Sequence, residues 1–402
     1  MAKRKKSLVN VPALDVLEQI NLHAAGLDIG AEEIYACVPV DRDEQSVRVF
    51  RTFTVDLYAL ADWLKHCGID TVAMESTGIY WIPLFEILEQ KCFDVLLVNP
   101  RSIKHAPGRK SDVLDCQWIQ QLHAYGLLSS AFRPEANISV LRAYHRQRTM
   151  LVNHAATHIQ HMQKALEQMN LKLTNVISDI TGLTGMKIIR SILDGERDPQ
   201  KLAGHRHARC KKSAQEIQKS LHGNWRDEHL FALRQAVELY DFYQTQIQAC
   251  DQKIQAQLLQ FEDRSGTGKR PPPSGKRHRG AKKLRFDARE HLYRMAGVDL
   301  TQVVGLDTPT VLTLLSEVGL DMSRWPTAKH FASWLGLCPG SKVSGGKNYS
   351  SKSKPSANRA AHAFRMAAYS LHRSPSAIGA FLRRKKAQLG APKAITATAH
   401  KI

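Results

Sequence analysis

The sequence predicts an α/β domain at the N-terminus, long coiled-coil helices in the middle and an all-α domain at the C-terminus. Three observations carry this. Short apolar β-runs alternate with helical stretches up to about residue 135, the strand signal then disappears while apolar residues recur at sevens, and the last segment keeps helical periodicity. In order, A-A-G-L-D-I-G and Y-A-C-V-P-V on either side of the short A-E-E-I bend read as a β-hairpin. S-V-R-V-F-R-T-F-T alternates at period two as a third strand, and Tyr58–His66 reads as a helix. T-V-A-M-E and F-D-V-L-L-V-N are short apolar strands separated by a Tyr80–Lys91 helix, and a further helix opens at Ser111 with a capping pattern. This β-β-β-α-β-α-β-α order matches an RNase H-like layout.

From about Ser139 to Glu262, Leu233, Tyr240, Ile247, Ile254 and Phe261 recur at sevens, and Tyr144, Leu151, Ala155, Met162 and Met169 keep a similar stripe. Two long helices in a coiled coil follow, either as a hairpin within the chain or as a dimerisation arm. Residues 264–283 carry eight Lys or Arg, three consecutive prolines, four glycines and no acid, so they form a linker, either a solvated spacer or a strap tracking phosphates. In the final segment, V-D-L-T-Q-V-V-G-L-D-T-P-T-V-L-T-L-L-S-E-V-G places a Val-Gly-Leu turn between two apolar helices. It reads as a helix-hairpin-helix that meets phosphate through backbone N–H groups, or as a plain αα-hairpin. The expected organisation is a basic tail over 1–20, the α/β domain over 21–138, the coiled coil over 139–262, the linker over 263–285 and the C-terminal domain over 286–402.

The 402 residues include 57 Lys plus Arg against 37 Asp plus Glu, a net charge of +20, with 43% hydrophobic residues. That hydrophobic fraction excludes wholesale disorder, and the charge suits a polyanion, because each neutralised phosphate releases a condensed counterion. Nucleic acid is the expected partner. The seven cysteines stand at least two dozen residues apart, which excludes a CxxC zinc knuckle or redox pair. No signal peptide and no apolar run of about 18 residues is present, so a soluble cytoplasmic protein without membrane contact is expected.

Asp28 lies in the first strand, Glu75 ends the strand T-V-A-M-E, and Asp112 and Asp115 stand three apart at a helix start, hence on one face. In an RNase H-like sheet the first strand and the strand after the first helix are adjacent, so these four acids converge. Clustered carboxylates repel unless cations neutralise them, and oxygen donors of this kind suit Mg²⁺ or Mn²⁺ acting on a phosphodiester. Singly, each acid also reads as an ordinary one: Asp112 a helix-dipole partner, Asp115 an exposed helix acid, Asp28 a turn acid and Glu75 a helix-start acid. The joint reading prevails in a basic chain where R-S-I-K-H-A-P-G-R-K precedes Asp112. A competing reading takes L-D-I-G as the phosphate loop of an actin- or sugar-kinase-like ATPase, but that fold needs a second sheet domain, and the chain after residue 135 is helical. The polar stretch C-P-G-S-K-V-S-G-G-K-N-Y-S-S-K-S-K-P-S is either a solvated loop or a loop meeting phosphate. In the second case Ser344, before Gly345-Gly346 and near Lys347, is the candidate nucleophile for a phosphoserine link. His154, His158 and His161 share one helix face, as a metal set or, preferably, as polar contacts.

G-L-D-I-G, V-A-M-E-S-T-G-I-Y-W, S-D-V-L-D-C-Q-W-I-Q-Q-L, the V-V-G-L-D-T-P-T hairpin and L-G-L-C-P-G-S-K-V-S-G-G-K occur in this order. With them the chain resembles an IS one-ten family insertion-sequence transposase from about residue 24 to 390. The resemblance implies a RuvC-like DEDD domain, with Asp28, Glu75, Asp112 and Asp115 at the DEDD positions, and a transposase domain supplying Ser344. It further implies a site-specific recombinase of a bacterial mobile element, acting on donor and target DNA near the nucleoid and guided by a structured RNA from the element. Dimers pairing into a tetramer would combine the DEDD domain of one protomer with the serine domain of another. Two positions depart from the family pattern: Cys116 stands where alanine is usual, and N-Y-S-S-K-S-K-P-S replaces an arginine-rich segment, which leaves Ser341 as a weaker candidate nucleophile. The rival readings are a metal-dependent junction endonuclease without serine chemistry and a non-catalytic nucleic-acid-binding protein.

Overall fold

The structure is a computed structural model that describes residues 18–76, 78–103, 111–266, 271, 284–350, 352–353 and 358–402. Most of the basic tail, the cations at 104–110 and nearly all of the Pro/Gly linker lie outside the described residues. The chain divides into two compact units, Met1–Arg133 and Pro134–Ile402.

The first unit holds strands β1 (Ala24–Ile29), β2 (Glu33–Cys37), β3 (Val47–Arg51), β4 (Thr71–Glu75) and β5 (Asp94–Val98). Its helices are α1 (Thr54–His66), α2 (Trp81–Gln90), the single turn α3 (Pro100–Ile103) and α4 (Asp112–Ala124). The sheet order is β3-β2-β1-β4-β5, with β1–β2 and β2–β3 antiparallel and β1–β4 and β4–β5 parallel. This is a mixed five-stranded sheet with helices, consistent with the RNase H-like layout. Period-two alternation sorts the two faces. Ala25, Leu27 and Ile29 of β1 and Val72 and Met74 of β4 pack with Leu60 and Leu64 of α1 and Leu84 and Leu88 of α2 in one buried core. Burying each such leucine contributes about 1.5–3 kcal/mol. The other face carries Ala73, Val98, Ile103 and Ile119, the last from α4.

Gly26 sets how closely α4 lies on β1. A Cβ at Gly26 would stand 2.1 Å from the Gln120 backbone nitrogen and 2.5 Å from the Cys116 carbonyl oxygen, so only glycine fits. Gln120 Nε2 donates to the Ala24 carbonyl at 3.3 Å, and at the helix end Thr71 Oγ1 lies 2.8 Å from His123 Nε2. Burial lowers the His123 pKa, which keeps this contact neutral.

The second unit is built on two 33-residue helices, α5 (Ala136–Gln168) and α10 (Asp227–Leu259). They run antiparallel: Gln257 Nε2 donates to the Asn137 carbonyl, Arg148 Nε reaches Asp251 Oδ1 at 2.5 Å, and Leu151 and Ala155 pack on Ile247. The hairpin within the chain is therefore the form taken here. Leu151, Ala155, Met162, Met169, Leu233, Ile247 and Ile254 of the expected stripes are buried. Phe261 falls beyond the end of α10 and is half-buried. Between the long helices, α6 (Leu173–Val176), α7 (Leu183–Leu193), α8 (Pro199–Ala203) and α9 (Ala214–Ser220) close a core around Leu166, Ile188 and Leu233.

Next come α11 (Ala288–Ala296), α12 (Thr308–Val318), α13 (Ala328–Trp334), strands β6 (Lys342–Ser344) and β7 (Lys347–Ser350), α14 (Arg359–Ser370), α15 (Ala377–Leu389) and α16 (Ala391–Ala399). Arg146 forks onto Glu317 (Nε–Oε1 2.9 Å, Nη2–Oε2 2.7 Å), and Arg142 Nη2 donates to the Glu317 carbonyl at 2.6 Å, which ties the end of α12 to α5. Two expectations are corrected here. The C-terminal region is helical but not all-α, because residues 342–350 form an antiparallel hairpin. The helix expected before the Val-Gly-Leu turn is a single 3-10 turn, Leu300–Gln302, since the Asp299 carboxylate takes the Thr301 N–H and hydroxyl and the Gln302 amide and so holds a tight cap.

Gly26→Ala is expected to push α4 off β1 at a cost of about 1–3 kcal/mol. Thermal melting followed by circular dichroism checks this, and an unchanged melting temperature would contradict the close approach.

Candidate metal centre

Gly26 and Asp28 point to the α4 side of the sheet because Ala25, Leu27 and Ile29 occupy the other side. The same alternation puts Ala73 and Glu75 of β4 on that side, and the parallel register sets Gly26 against Ala73 and Leu27 against Met74. One step further along the two strands bring Asp28 and Glu75 side by side. On α4, Ser111 caps the helix by accepting from the Leu114 N–H at 3.4 Å, and Asp112 and Asp115 stand in the first turn. The positive end of the helix dipole favours their charge.

Carboxylate oxygens of Asp28, Asp112 and Asp115 lie within 4.8 Å of one another. Among the described residues this is the one cluster of acids, histidines or cysteines with metal-ligand spacing. Glu75 is not within that spacing, yet its charge acts on Asp28. The Asp28 pKa is pushed up from 3.8 to about 6, first by burial and then by the charges of Asp115, Glu75 and Asp112, against a small lowering by the Ile29 backbone hydrogen bond. Crowded, partly desolvated oxygen donors are what a hard divalent cation would relieve, and the Asp triad is consistent with such a site.

Of two neighbours of the cluster, Tyr35 carries no signal in the linear sequence, whereas Cys116 stands out there as a departure from the family pattern. Tyr35 of β2 stands directly opposite Asp28, and its hydroxyl donates to Glu33 Oε2 at 3.3 Å. Glu33, and to a lesser degree Asp112 and Asp28, raise the phenol pKa. The place of Tyr35 follows from the hairpin register, which the length of the A-E-E bend sets. Cys116 is fully buried, its thiol donates to the Val113 carbonyl at 3.1 Å, and a hydrogen bond with Cys37 followed by burial pushes its pKa far above the thiol range. Kept neutral there, the thiol fills the space of a small residue against β1 and offers no ligand.

Ser344 belongs to the second unit, as the last residue of β6. It is exposed and pairs with Lys347 across the two-residue turn Gly345-Gly346. Both glycines have positive φ (55° and 74°), as a type I′ turn requires, and a Cβ on either would meet nothing within 4 Å. The Gly-Gly pair thus answers to backbone conformation, and the space around the hydroxyl is open. Ser341 precedes the strand and is exposed as well. His154 and His158 stack on Tyr243 at 5.6 and 5.3 Å, and His161 meets His158 edge-on, an aromatic cluster in place of a metal set.

The transposase family model DEDD_Tnp_IS110 matches residues 25–171, a span that contains all four acids. A second, described as Transposase IS116/IS110/IS902 family, matches residues 298–382, which contain Ser341 and Ser344. The chain belongs to the IS110 family of transposases. Among curated proteins, none matches it at a significant level. Membership makes DNA the substrate and gives the acidic cluster its DEDD character, and it removes the ATPase reading of L-D-I-G. No described helix of this transposase is long and apolar enough to cross a membrane.

Because Asp28 holds its proton more tightly in the folded chain, the cation-free protein loses stability as pH rises from 3.8 through about 6 and stays weakened above that. Asp28→Asn is therefore expected to raise the neutral-pH melting temperature in chelator by a few degrees or so, and to leave it unchanged in acid. Divalent cation should raise the melting temperature of the wild type and not of the variant. Parallel pH profiles for the two proteins would refute the repulsion.

Proposed function

We propose that this transposase is a site-specific recombinase of a mobile element, cutting and rejoining DNA strands through a phosphoserine link on Ser344. The observation that carries the reading is the convergence of Asp28, Asp112 and Asp115 beside Glu75, in a chain of this family. Mg²⁺ or Mn²⁺, held by Asp28, Glu75, Asp112 and Asp115, would supply Lewis-acid stabilisation of the charge that develops on the phosphodiester. Asp28 and Glu75 come from rigid adjacent strands and Asp112 and Asp115 from one helix turn, so three elements fix four carboxylates without loop motion.

Ser344 Oγ attacks phosphorus; the Oγ–P bond forms, the bond to the departing strand breaks, and the departing oxygen takes up a proton while the serine proton goes to a base. Reversal by a hydroxyl of the incoming strand rejoins DNA without ATP, because the phosphodiester energy is kept in the protein link. Both serines are exposed, and the place of Ser344 next to the hairpin turn, paired with Lys347 across it, supports this role over that of Ser341. A structured guide RNA and a dimer that assembles into a tetramer complete the reading; the RNA fits a chain of charge +20, whose self-repulsion a bound polyanion would screen.

Asp28→Asn, Glu75→Gln and Asp115→Asn are each expected to abolish strand cleavage in Mg²⁺ while gel-shift affinity for DNA stays near wild type, because Lys and Arg hold the phosphates. Full cleavage by all three would sink the assignment. With labelled target DNA, donor DNA and RNA present, denaturing gels should show a covalent protein–DNA adduct for wild type and Ser341→Ala and none for Ser344→Ala. An adduct in Ser344→Ala but not in Ser341→Ala would move the nucleophile, and cleavage by wild type with no adduct would mean a junction endonuclease.

A further inference from the structure

After Asp321 the chain contains no acidic residue, while its last 81 residues carry fifteen Lys or Arg. Within this stretch α14 is two-faced. Its inner side is alanine, with Ala360, Ala361, Ala363, Ala367 and Ala368 buried, and it packs on α12 and α16. Its outer side carries Arg359, His362, Met366 and Tyr369, continued by Arg373 in the following 3-10 turn, all exposed and within one narrow arc at 100° per residue. Met366 is 49% and Tyr369 62% exposed, two large apolar groups one helical turn apart between cations.

We propose that this face of α14 binds single-stranded DNA, with Tyr369 and Met366 against base faces and Arg359 and Arg373 on the flanking phosphates. A surface meeting only duplex phosphates has no use for exposed tyrosine and methionine. Groove reading of base edges relies on the forked donors and acceptors of Arg, Asn or Gln, which Met366 and Tyr369 lack. Unpaired bases offer the π-faces that an aromatic side chain stacks on, and α14 itself and the chain that follows it bring no acid to repel the strand. The inference rests on the chain being an enzyme that separates DNA strands, but it concerns binding alone and needs neither Ser344 nor the carboxylates.

The test is fluorescence polarisation of the full chain, without divalent cation, on a labelled single-stranded DNA, its duplex and the RNA of the same sequence. Tyr369→Ala should weaken single-stranded DNA binding about ten- to hundred-fold, with duplex binding and the salt slope unchanged, and Tyr369→Phe should restore it. Arg359→Gln with Arg373→Gln should shallow the salt slope on single strands. Wild-type affinity of Tyr369→Ala for the single strand, equal loss on single strand and duplex, or loss confined to RNA would each overturn the proposal. A wild type that binds as expected but never cuts DNA would count against the recombinase reading and leave this one standing.

Discussion

The fit of α4 against β1 at Gly26 is the contact on which the rest of the first unit depends. Without a Cβ at that position the helix backbone comes down onto the strand, and its first turn arrives beside the end of β1. Asp112 and Asp115 are thereby forced against Asp28 with Glu75 alongside, and the price is electrostatic: Asp28 holds its proton up to about pH 6. A fold that concentrates repulsion in this way is held together by the apolar contacts around it. The α1 and α2 core on one face and the Ile119 patch on the other supply those contacts. The strain is local, and it sits where a divalent cation would turn it into binding energy.

The second unit is organised by a different constraint, the pairing of buried charge along the helical hairpin. Arg148 and Asp251 are both almost fully buried, so neither is tolerable alone, and Asp251 Oδ2 also accepts from the Arg285 N–H at 3.2 Å. Within the two turns of α5 that precede Arg148, Arg142 and Arg146 hold Glu317, and His145 lies 3.0 Å from Thr313 Oγ1. Burial first, and then neighbouring arginines, lower the His145 pKa to about 4, so this contact is made by a neutral imidazole. Long helices, α12 and the alanine face of α14 thus form one supported stack, and the serine hairpin and the outer face of α14 are left exposed upon it.

How much of this was legible in the sequence follows the strength of each local signal. The order of strands and helices and the positions of the four acids could be read because period two and i, i+3 spacing are properties of the backbone. The pair of long helices was equally plain from its heptads, although its antiparallel pairing within one chain was not. The hairpin at Ser344 was read as a loop because its strands carry no apolar alternation, even though Gly345-Gly346 is a type I′ turn signal. The missing helix before Gly305 reflects a competition that periodicity does not register, since the Asp299 side chain binds the backbone that a helix would have used. Tyr35 was passed over because its place beside Asp28 exists only once the strands are paired.

Within the first unit, β1, β4 and the first turn of α4 gather carboxylates suited to one cation. Anomalous diffraction from crystals of the wild-type protein grown with Mn²⁺ tests for that cation without relying on catalysis. The expected result is a Mn²⁺ peak at coordination distance from the carboxylates of Asp28 and Asp115, lost in crystals of Asp28→Asn. Wild-type crystals with no peak there, and with Asp112 and Asp115 turned away from Asp28, would contradict it.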